Sequence, residues 1–265
     1  MTTSIVIPVF NGEEFLKANL PAVISLAADE IIIVDDASTD GSAEFIAQSF
    51  PQIKLIRHSR NCRFPITVNN GFSHATGDII FLLNQDVNPQ PDLIKKTLPH
   101  FADPKIFAVT FSEKNRSWAK GEFKNGFLEF TNGPRDNKIH ESLWASGGSA
   151  AFRKDLWDKF GGFDPIFTPG YFEDLDLGWQ ARRAGYKIIW DPKCSVQHLA
   201  ETAFNKAFSP QKLRYIKERN YLLAHWKNLT GKQLREHTHF LFLRILRHPG
   251  FIIPTLWALW KKLVS

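Results

Sequence analysis

Apolar residues in this chain arrive as short unbroken runs separated by stretches of helical spacing. Residues 4–9 are nearly all apolar, contain Pro8 and are turned by Asn11-Gly12, as expected of a strand buried on both faces. Residues 13–26 then place Phe15, Leu16, Leu20, Val23 and Ile24 at helical intervals. The same reading predicts a strand over 30–34, a helix over 43–49 and a strand over 53–57. A helix over 66–75, a strand over 79–83 and a helix over 93–101 follow. Strands and helices alternating in this way predict βαβ units and a parallel sheet.

From 106 to 143 the pattern loosens into short aromatic strands with turns at Asn125-Gly126 and Asn132-Gly133, which predicts mixed or antiparallel pairing. A strand into Phe152, a helix over 154–160, a last strand over 187–190 and an edge segment at 196–198 complete this part. Beyond about Ser209 the periodicity is helical, over 213–228, 234–247 and 251–263. The fold class is therefore α/β, with a Rossmann-like, mostly parallel central sheet, helices on both faces and a C-terminal helical appendage. Its expected divisions are 1–208, with halves 1–105 and 106–208, and 209–265.

A length of 265 residues, 43% of them hydrophobic, suits one large domain with a small addition. Cys62 and Cys194 are too few for a disulfide framework and lack metal-ligand spacing, so a reducing cytosol is expected. Met1 leads straight into a strand, so no secretory signal is expected. The formal charge of +6 lies largely after Lys206, mixed with Trp, Phe and Leu. No nucleic-acid reader motif accompanies it, and an anionic membrane surface fits better. Arg244, Arg247, His248, Pro249-Gly250 and Pro254 break the apolar C-terminal stretch, which falls short of the about 20 residues a spanning helix needs. Trp257, Trp260, Lys261 and Lys262 suit a helix lying in the interface, peripheral on the inner face of the cell membrane. The competing readings are an amphipathic helix covering the domain and a homodimer contact.

Ligands of open parallel sheets bind beyond the carboxyl ends of the strands. Two acidic groups sit there, Asp35-Asp36 and Asn84-Gln85-Asp86. A carboxylate at such a strand end is costly unless it is solvated, hydrogen-bonded or holding a cation, and Mg²⁺ takes one or two carboxylates with water and phosphate. His198 is a second candidate donor. A third group, Glu173-Asp174-Leu175-Asp176, begins a helix, where acids also serve as plain dipole partners. Gly-x-Gly-x-x-Gly, P-loop and Gly-x-Ser-x-Gly signatures are missing, which disfavours hydride transfer, P-loop phosphoryl transfer and serine hydrolysis.

The segments Ile5-Val6-Ile7-Pro8-Val9-Phe10-Asn11, Val34-Asp35-Asp36-Ala37-Ser38-Thr39-Asp40-Gly41-Ser42, Gly77-Asp78, Leu83-Asn84-Gln85-Asp86, Gly147-Gly148 and Glu173-Asp174-Leu175-Asp176-Leu177-Gly178 follow one another in order. Together they resemble the family-2 glycosyltransferases of GT-A fold, over roughly residues 4–200, and most of all bacterial members that build cell-surface polysaccharides, some of them rhamnosyltransferases. The resemblance implies that Pro8, Val9, Asn11, Glu13, Asp35, Asp36, Arg63, Asn84 and Gln85 bind a nucleoside-diphosphate sugar, UDP- or dTDP-linked. It implies Asp86 and His198 as contacts to Mg²⁺ or Mn²⁺, and Asp174 as catalytic base. Gly147, Gly148, Glu173 and Trp179 would border the sugar and acceptor pocket, the acceptor being a glycan or lipid-linked. Asn84 departs from the pattern, since the family often has an aspartate there. Arg219-Asn220-Tyr221 and Trp226-Lys227-Asn228 also resemble these bacterial members. One base without an enzyme nucleophile implies a single inverting displacement. A sugar-phosphate nucleotidyltransferase or an inactive membrane-associated scaffold are the alternatives.

Overall fold

The computed structural model describes residues 1–114, 116–198 and 208–264. Among the described residues, a nine-stranded sheet forms the heart of the fold. Strands β1 (Thr3–Val9), β2 (Glu30–Asp35), β3 (Lys54–Arg57) and β4 (Ile79–Leu83) are mutually parallel, with β1 between β2 and β4. Helices α1 (Glu13–Ser25), α2 (Ser42–Ser49) and α3 (Phe64–His74) connect them. This half follows the sequence reading within a residue or two at most ends. Its strands read as continuous apolar runs because helices cover both sides. Leu16, Leu20 and Ile46 pack on one face with Ile5 and Ile33, while Val68 and Phe72 pack on the other with Val6 and Ile32.

The second half has the mixed pairing expected of it, with one strand set deeper in the sheet than the loose pattern suggested. Residues 106–112 form β6 (Ile106–Ser112), a wholly buried strand deep in the main sheet. Between β4 and β6 lies β10 (Ser149–Arg153), antiparallel to both. The next strand, β11 (Lys187–His198), is parallel to β6 and absorbs a register shift between Asp191 and Ser195. That irregularity divides its sequence pattern into the two pieces expected at 187–190 and 196–198. Short β5 (Val87–Pro89) and β9 (His140–Glu141) pair with β11, and β7 (Ala119–Lys124) and β8 (Phe127–Asn132) form a separate hairpin around Asn125-Gly126. The helix expected over 93–101 is α4 (Leu93–Thr97) followed by a 3₁₀ turn at Leu98–Ala102, where Pro99 removes a helical donor. Helices α5 (Lys154–Phe160) and α6 (Glu173–Arg183) lie on the α3 side, with Trp157, Leu177 and Ala181 in that core.

At the C-terminus come α7 (Pro210–Asn228), α8 (Gly231–Arg247) and α9 (Ile252–Val264). Leu222, Leu223 and Ala224 of α7 share a hydrophobic cluster with Phe167, Leu175 and Leu128, so α7 packs directly on α6. Helix α9 packs on α7 through Ala258 and keeps an exposed outer face. Trp257 and Lys261 correct the sequence reading of that face. Trp257 lies over the Arg219 guanidinium at 4.2 Å, and Lys261 Nζ donates to Thr168 O and Oγ1, both at 2.9 Å. Both point inward because the rows carrying Ala258 and Lys261 face α7. Trp260 and Lys262 remain exposed.

Candidate active site

The carboxyl ends of β1, β2 and β4 meet at one rim, where their following loops bind one another. The Gln85 Oε1 accepts from Phe10 N–H at 3.0 Å, and Gln85 O accepts from Asn19 Nδ2 at 3.0 Å. Asn11 N–H donates to the Ser38 hydroxyl oxygen at 2.9 Å, and Asn11 Oδ1 accepts from Thr39 N–H at 2.8 Å. Glu13 Oε2 accepts from Gly41 N–H at 3.1 Å. Asn11, Glu13 and Gln85 therefore brace the loops of the rim. Pro8 is buried and Val9 lies in the core, so the first strand contributes its end rather than those side chains.

Adjacent Asp35 and Asp36 take different parts. Asp36 is saturated by His58 Nδ1 at 2.8 Å, Cys62 N–H at 2.7 Å and Arg63 N–H at 2.9 Å, which folds the 58–63 segment under it. Arg63 itself sits at φ 78, with an exposed side chain. Asp35 Oδ1 is buried with no hydrogen-bond partner among the described residues. A buried carboxylate oxygen left open at a strand end is the natural acceptor for a ligand's N–H or hydroxyl. Asp36 shapes the rim beside it.

Asn84 and Asp86 leave β4 toward the second half. Asn84 N–H donates to Gly148 O at 2.8 Å, and a Cβ on Gly148 would lie 2.3 Å from Asn84 Nδ2. One residue earlier, Gly147 N–H donates to Asp174 Oδ2 at 3.2 Å. A single dipeptide thus joins the strand end to the first turn of α6. Gly147, Gly148, Asn84, Glu173 and Asp174 are brought together by it.

Asp86 is buried, with its Oδ1 3.6 Å from His198 Nε2. His198 Nδ1 sits 2.8 Å from Glu113 Oε2, and Ser149 donates to Glu113 Oε1. Burial raises the Asp86 carboxyl above its ordinary range against the pull of His198. Burial also opposes charge on Glu113 and His198, but each outweighs it for the other, so the carboxyl is lowered and the imidazole raised. Asn84 Oδ1, two residues before Asp86, is buried with no hydrogen-bond partner among the described residues. A carboxylate, an imidazole and an unpaired amide oxygen are the donor types that Mn²⁺ and Mg²⁺ accept, with phosphate and water completing the set, so these residues fit such an ion. Two tighter groupings, Asp36–His58–Cys62 and His100–Asp191–Cys194, lie elsewhere. In the first, hydrogen bonds within the loop already occupy Asp36.

Three carboxylates of α6 diverge within four residues. Asp176 is buried and held by Lys227 Nζ at 2.8 Å, Asn228 Nδ2 at 2.6 Å and Gln180 Nε2 at 2.9 Å, which makes it an anchor to α7. Glu173 is buried with Oε2 unpartnered, and burial together with the neighbouring Asp174 charge pushes its carboxyl well above the usual range. Asp174 is raised by burial too, but Gly147 N–H at 3.2 Å and Leu175 N–H at 2.8 Å hold its charged form. Glu173 is thus the more strongly raised of the pair, and Asp174 is the one whose charged form has backbone donors.

Trp179 lies edge-on to His225 at 5.6 Å, within the α6–α7 cluster. Two residues escaped the sequence reading. Glu113 follows an apolar strand as Asp86 does, and that strand-end position was the available signal. Arg116 Nε lies 4.0 Å from Glu113 Oε2, and its positive charge bears on Asp86, Asp174 and His198. No local motif marks it.

Known proteins are similar to this chain in sequence and in fold. Pre-mycofactocin glycosyltransferase of Mycobacterium tuberculosis is 27% identical over 205 residues, which cover 74% of this chain and 42% of that protein. The chain thus spans less than half the length of this relative. N-acetylglucosaminyl-diphospho-decaprenol L-rhamnosyltransferase of Mycobacterium tuberculosis is 23% identical over 214 residues, covering 67% of this chain and 69% of the relative. Among solved structures, GalNAc-T7 with UDP, GalNAc and Mn²⁺ superposes with a TM-score of 0.66 at 17% identity, over 84% of this chain and 47% of the other. The mannosyltransferase PcManGT from Pyrobaculum calidifontis, in complex with GDP-Man and Mn²⁺, gives 0.63 at 18% identity, over 99% and 75%. These likenesses establish the GT-A fold. The family model "Glycosyl transferase family 2" matches residues 4–161, more than half of the chain, and the chain belongs to that family.

Proposed function

We propose that the chain moves a hexosyl group from a nucleoside-diphosphate sugar, UDP- or dTDP-linked, to a hydroxyl of a glycan or lipid-linked acceptor in bacterial surface polysaccharide synthesis, with inversion. The observation that carries this reading is the Gly147-Gly148 bridge, which sets Asp174 across from the Asn84–Asp86 strand end. A sugar between them would present its anomeric carbon to an acceptor hydroxyl whose proton Asp174 takes. Asp174 is the carboxylate whose charged form is held by backbone donors, and retention would need a second carboxylate as nucleophile. Asp86 and His198, with the Asn84 amide oxygen, would hold Mg²⁺ or Mn²⁺, which supplies Lewis-acid neutralisation of the leaving diphosphate. Arg116 adds a cation on that side. The lipid-diphosphate acceptor in the name of the rhamnosyltransferase relative supports the acceptor class.

The test is incubation with a panel of nucleotide sugars and Mn²⁺ or Mg²⁺. Release of nucleoside diphosphate supports the reading; pyrophosphate chemistry would make the chain a nucleotidyltransferase, and no chemistry would make it a scaffold. Asp174→Asn should lower turnover by roughly 10²–10⁴-fold with donor affinity unchanged. Near-normal turnover would remove Asp174 from the role.

The same reading places the protein on an anionic inner membrane surface. Among the described residues no helix is long and apolar enough to cross a membrane. The outer face of α9 exposes Ile253, Leu256, Trp260 and Leu263, beside Phe242 and Leu246 of α8. Exposed Lys232, Arg235, Arg247 and Lys262 accompany them, against Glu236 as the one acid of residues 232–264. Apolar face and positive surround match the two attractions of an acidic bilayer. Sedimentation with phosphatidylglycerol vesicles should exceed that with phosphatidylcholine and weaken with salt and with Trp260→Glu. A solution homodimer that covers this face and leaves vesicles unbound refutes it.

A further inference from the structure

The first turn of α6 is gripped from both sides by one other helix. On its far side, Asp176 is fixed by Lys227 and Asn228 of α7. On its near side, the loop entering α6 is fixed by Asn220 of the same helix. Asn220 is fully buried, and its Nδ2 donates to Phe167 O at 2.7 Å, Gly170 O at 2.9 Å and Tyr171 O at 2.9 Å. Its Oδ1 accepts from Arg219 Nε at 2.9 Å and Nη2 at 2.8 Å, which fixes the orientation of the amide. Arg219 also donates to Thr168 O, and Lys261 of α9 donates to the same carbonyl. Asp174 lies between these two grips.

The gripped loop does not hold its own shape cheaply. Tyr171 and Phe172 both occupy left-handed backbone, at φ 75 and 73, which side-chain-bearing residues avoid. Phe172 O then accepts from Asp176 N–H at 3.0 Å and starts the helix. A carbonyl ring closed by one buried amide has no water to replace that amide. Loss of the amide therefore frees the backbone three residues before Asp174 while leaving the rim of β1, β2 and β4 untouched.

We propose that Asn220, with Arg219 and Lys261 behind it, is a positioning residue for the transfer step: the C-terminal helices set the place of Asp174 through the backbone of residues 167–172. The proposal rests on Asp174 as base. It predicts an effect on turnover and not on donor binding, since the loops that brace the nucleotide rim make none of these contacts.

The test uses the full chain with whichever nucleotide sugar the panel selects. Asn220→Asp keeps the shape and removes the donors; it should lower kcat by roughly 10–100-fold, as misplacement of a reacting group does. Calorimetric affinity for the nucleoside diphosphate should stay within about twofold, a split that a general loss of structure would not give. Arg219→Lys, which keeps a donor for Thr168 O, should retain more kcat than Arg219→Met. Should Asn220 variants fail to fold, Lys261→Met carries the test, with a smaller drop in kcat and the same unchanged donor affinity. Folded Asn220→Asp and Lys261→Met proteins with parental kcat overturn the proposal. So does loss of donor affinity in step with kcat. Activity that survives Asp174→Asn but not Asn220→Asp overturns it as well and points to failure of the base assignment; an inactive Asp174→Asn beside an unaffected Asn220→Asp sinks the positioning role alone.

Discussion

Alanine at Gly148 and alanine at Gly147 should behave very differently, although the two sites are adjacent and neither needs a left-handed backbone. A Cβ at 148 would stand 2.3 Å from Asn84 Nδ2 and 2.7 Å from Asn84 Cγ. Carbon contacts settle at about 3.5–4.0 Å, so the Asn84 side chain must retreat by roughly 1 Å or more. The Asn84 backbone cannot back away, because its N–H is bonded to Gly148 O, so the side chain itself must turn aside. Overpacking of this kind costs about 1–3 kcal/mol. In a chain of this size that lowers Tm by roughly 2–10 °C. At 147 the nearest atoms to an added Cβ are Glu173 Oε1 at 3.5 Å and Asp174 Cβ and Oδ2 at 3.6 Å, which is ordinary contact. Gly147→Ala should therefore melt within about 2 °C of the parent by the same conversion. The assay is a thermal melt followed by circular dichroism, with transfer kinetics titrated in Mn²⁺. Gly148→Ala should melt lower and need more Mn²⁺, because Asn84 carries the displaced oxygen; adding Asn84→Ala to it should recover part of the stability but not the Mn²⁺ response. A Gly148→Ala protein with parental melting and parental Mn²⁺ dependence would refute the strap as the element that sets the strand end. A Gly147→Ala protein that melts lower than Gly148→Ala would refute it too.

Other expectations follow from single contacts. Lys227→Met strips a buried carboxylate of its cation and should cost about 3–5 kcal/mol in urea unfolding, with Asp176→Asn in the same chain recovering most of it. Glu173 has a folded pKa above its ordinary 4.5, so the folded state binds the extra proton and stability falls as pH rises through the interval above 4.5. Glu173→Gln should consequently gain stability at pH 7 relative to the parent, a difference that disappears below about pH 4 in pH-dependent melts. Turnover should climb with pH through an Asp174 pKa raised above 3.8, seen as the acid limb of the kcat profile. Glu113→Gln removes the carboxylate that orients His198 and should weaken Mn²⁺ activation by about 10–100-fold in a titration of the chelated protein.

The nucleotide-side half was legible because parallel strands covered on both faces are apolar throughout, and because such sheets put polar groups at their carboxyl ends. Those two regularities are local, and they placed Asp35, Asn84 and Asp86 at one rim. What they could not supply is the partner of each polar group. Asp35 and Asp36 are neighbours of one chemical type, yet Asp36 is spent on the N–H groups of Cys62 and Arg63 while Asp35 keeps an open oxygen. Asp174 and Asp176 are two residues apart in one helical turn. One meets the Gly147 backbone and the other meets Lys227, a residue 51 positions away. A sequence states where acids stand along the chain, but their charge is decided by donors that arrive from other elements. The same holds for α9, where Trp260 and Lys262 face outward while Trp257 and Lys261 turn onto α7 and the loop at Thr168. With Asp174 as the proposed base, the helix read as a surface attachment would also be part of that base's support. Lipid seated on its outer face would stiffen the element whose inner face holds Thr168. An increase of kcat on vesicle binding, lost in Lys261→Met while sedimentation is kept, is the behaviour this arrangement requires, and equal kcat with and without vesicles would separate the two faces of α9 in function.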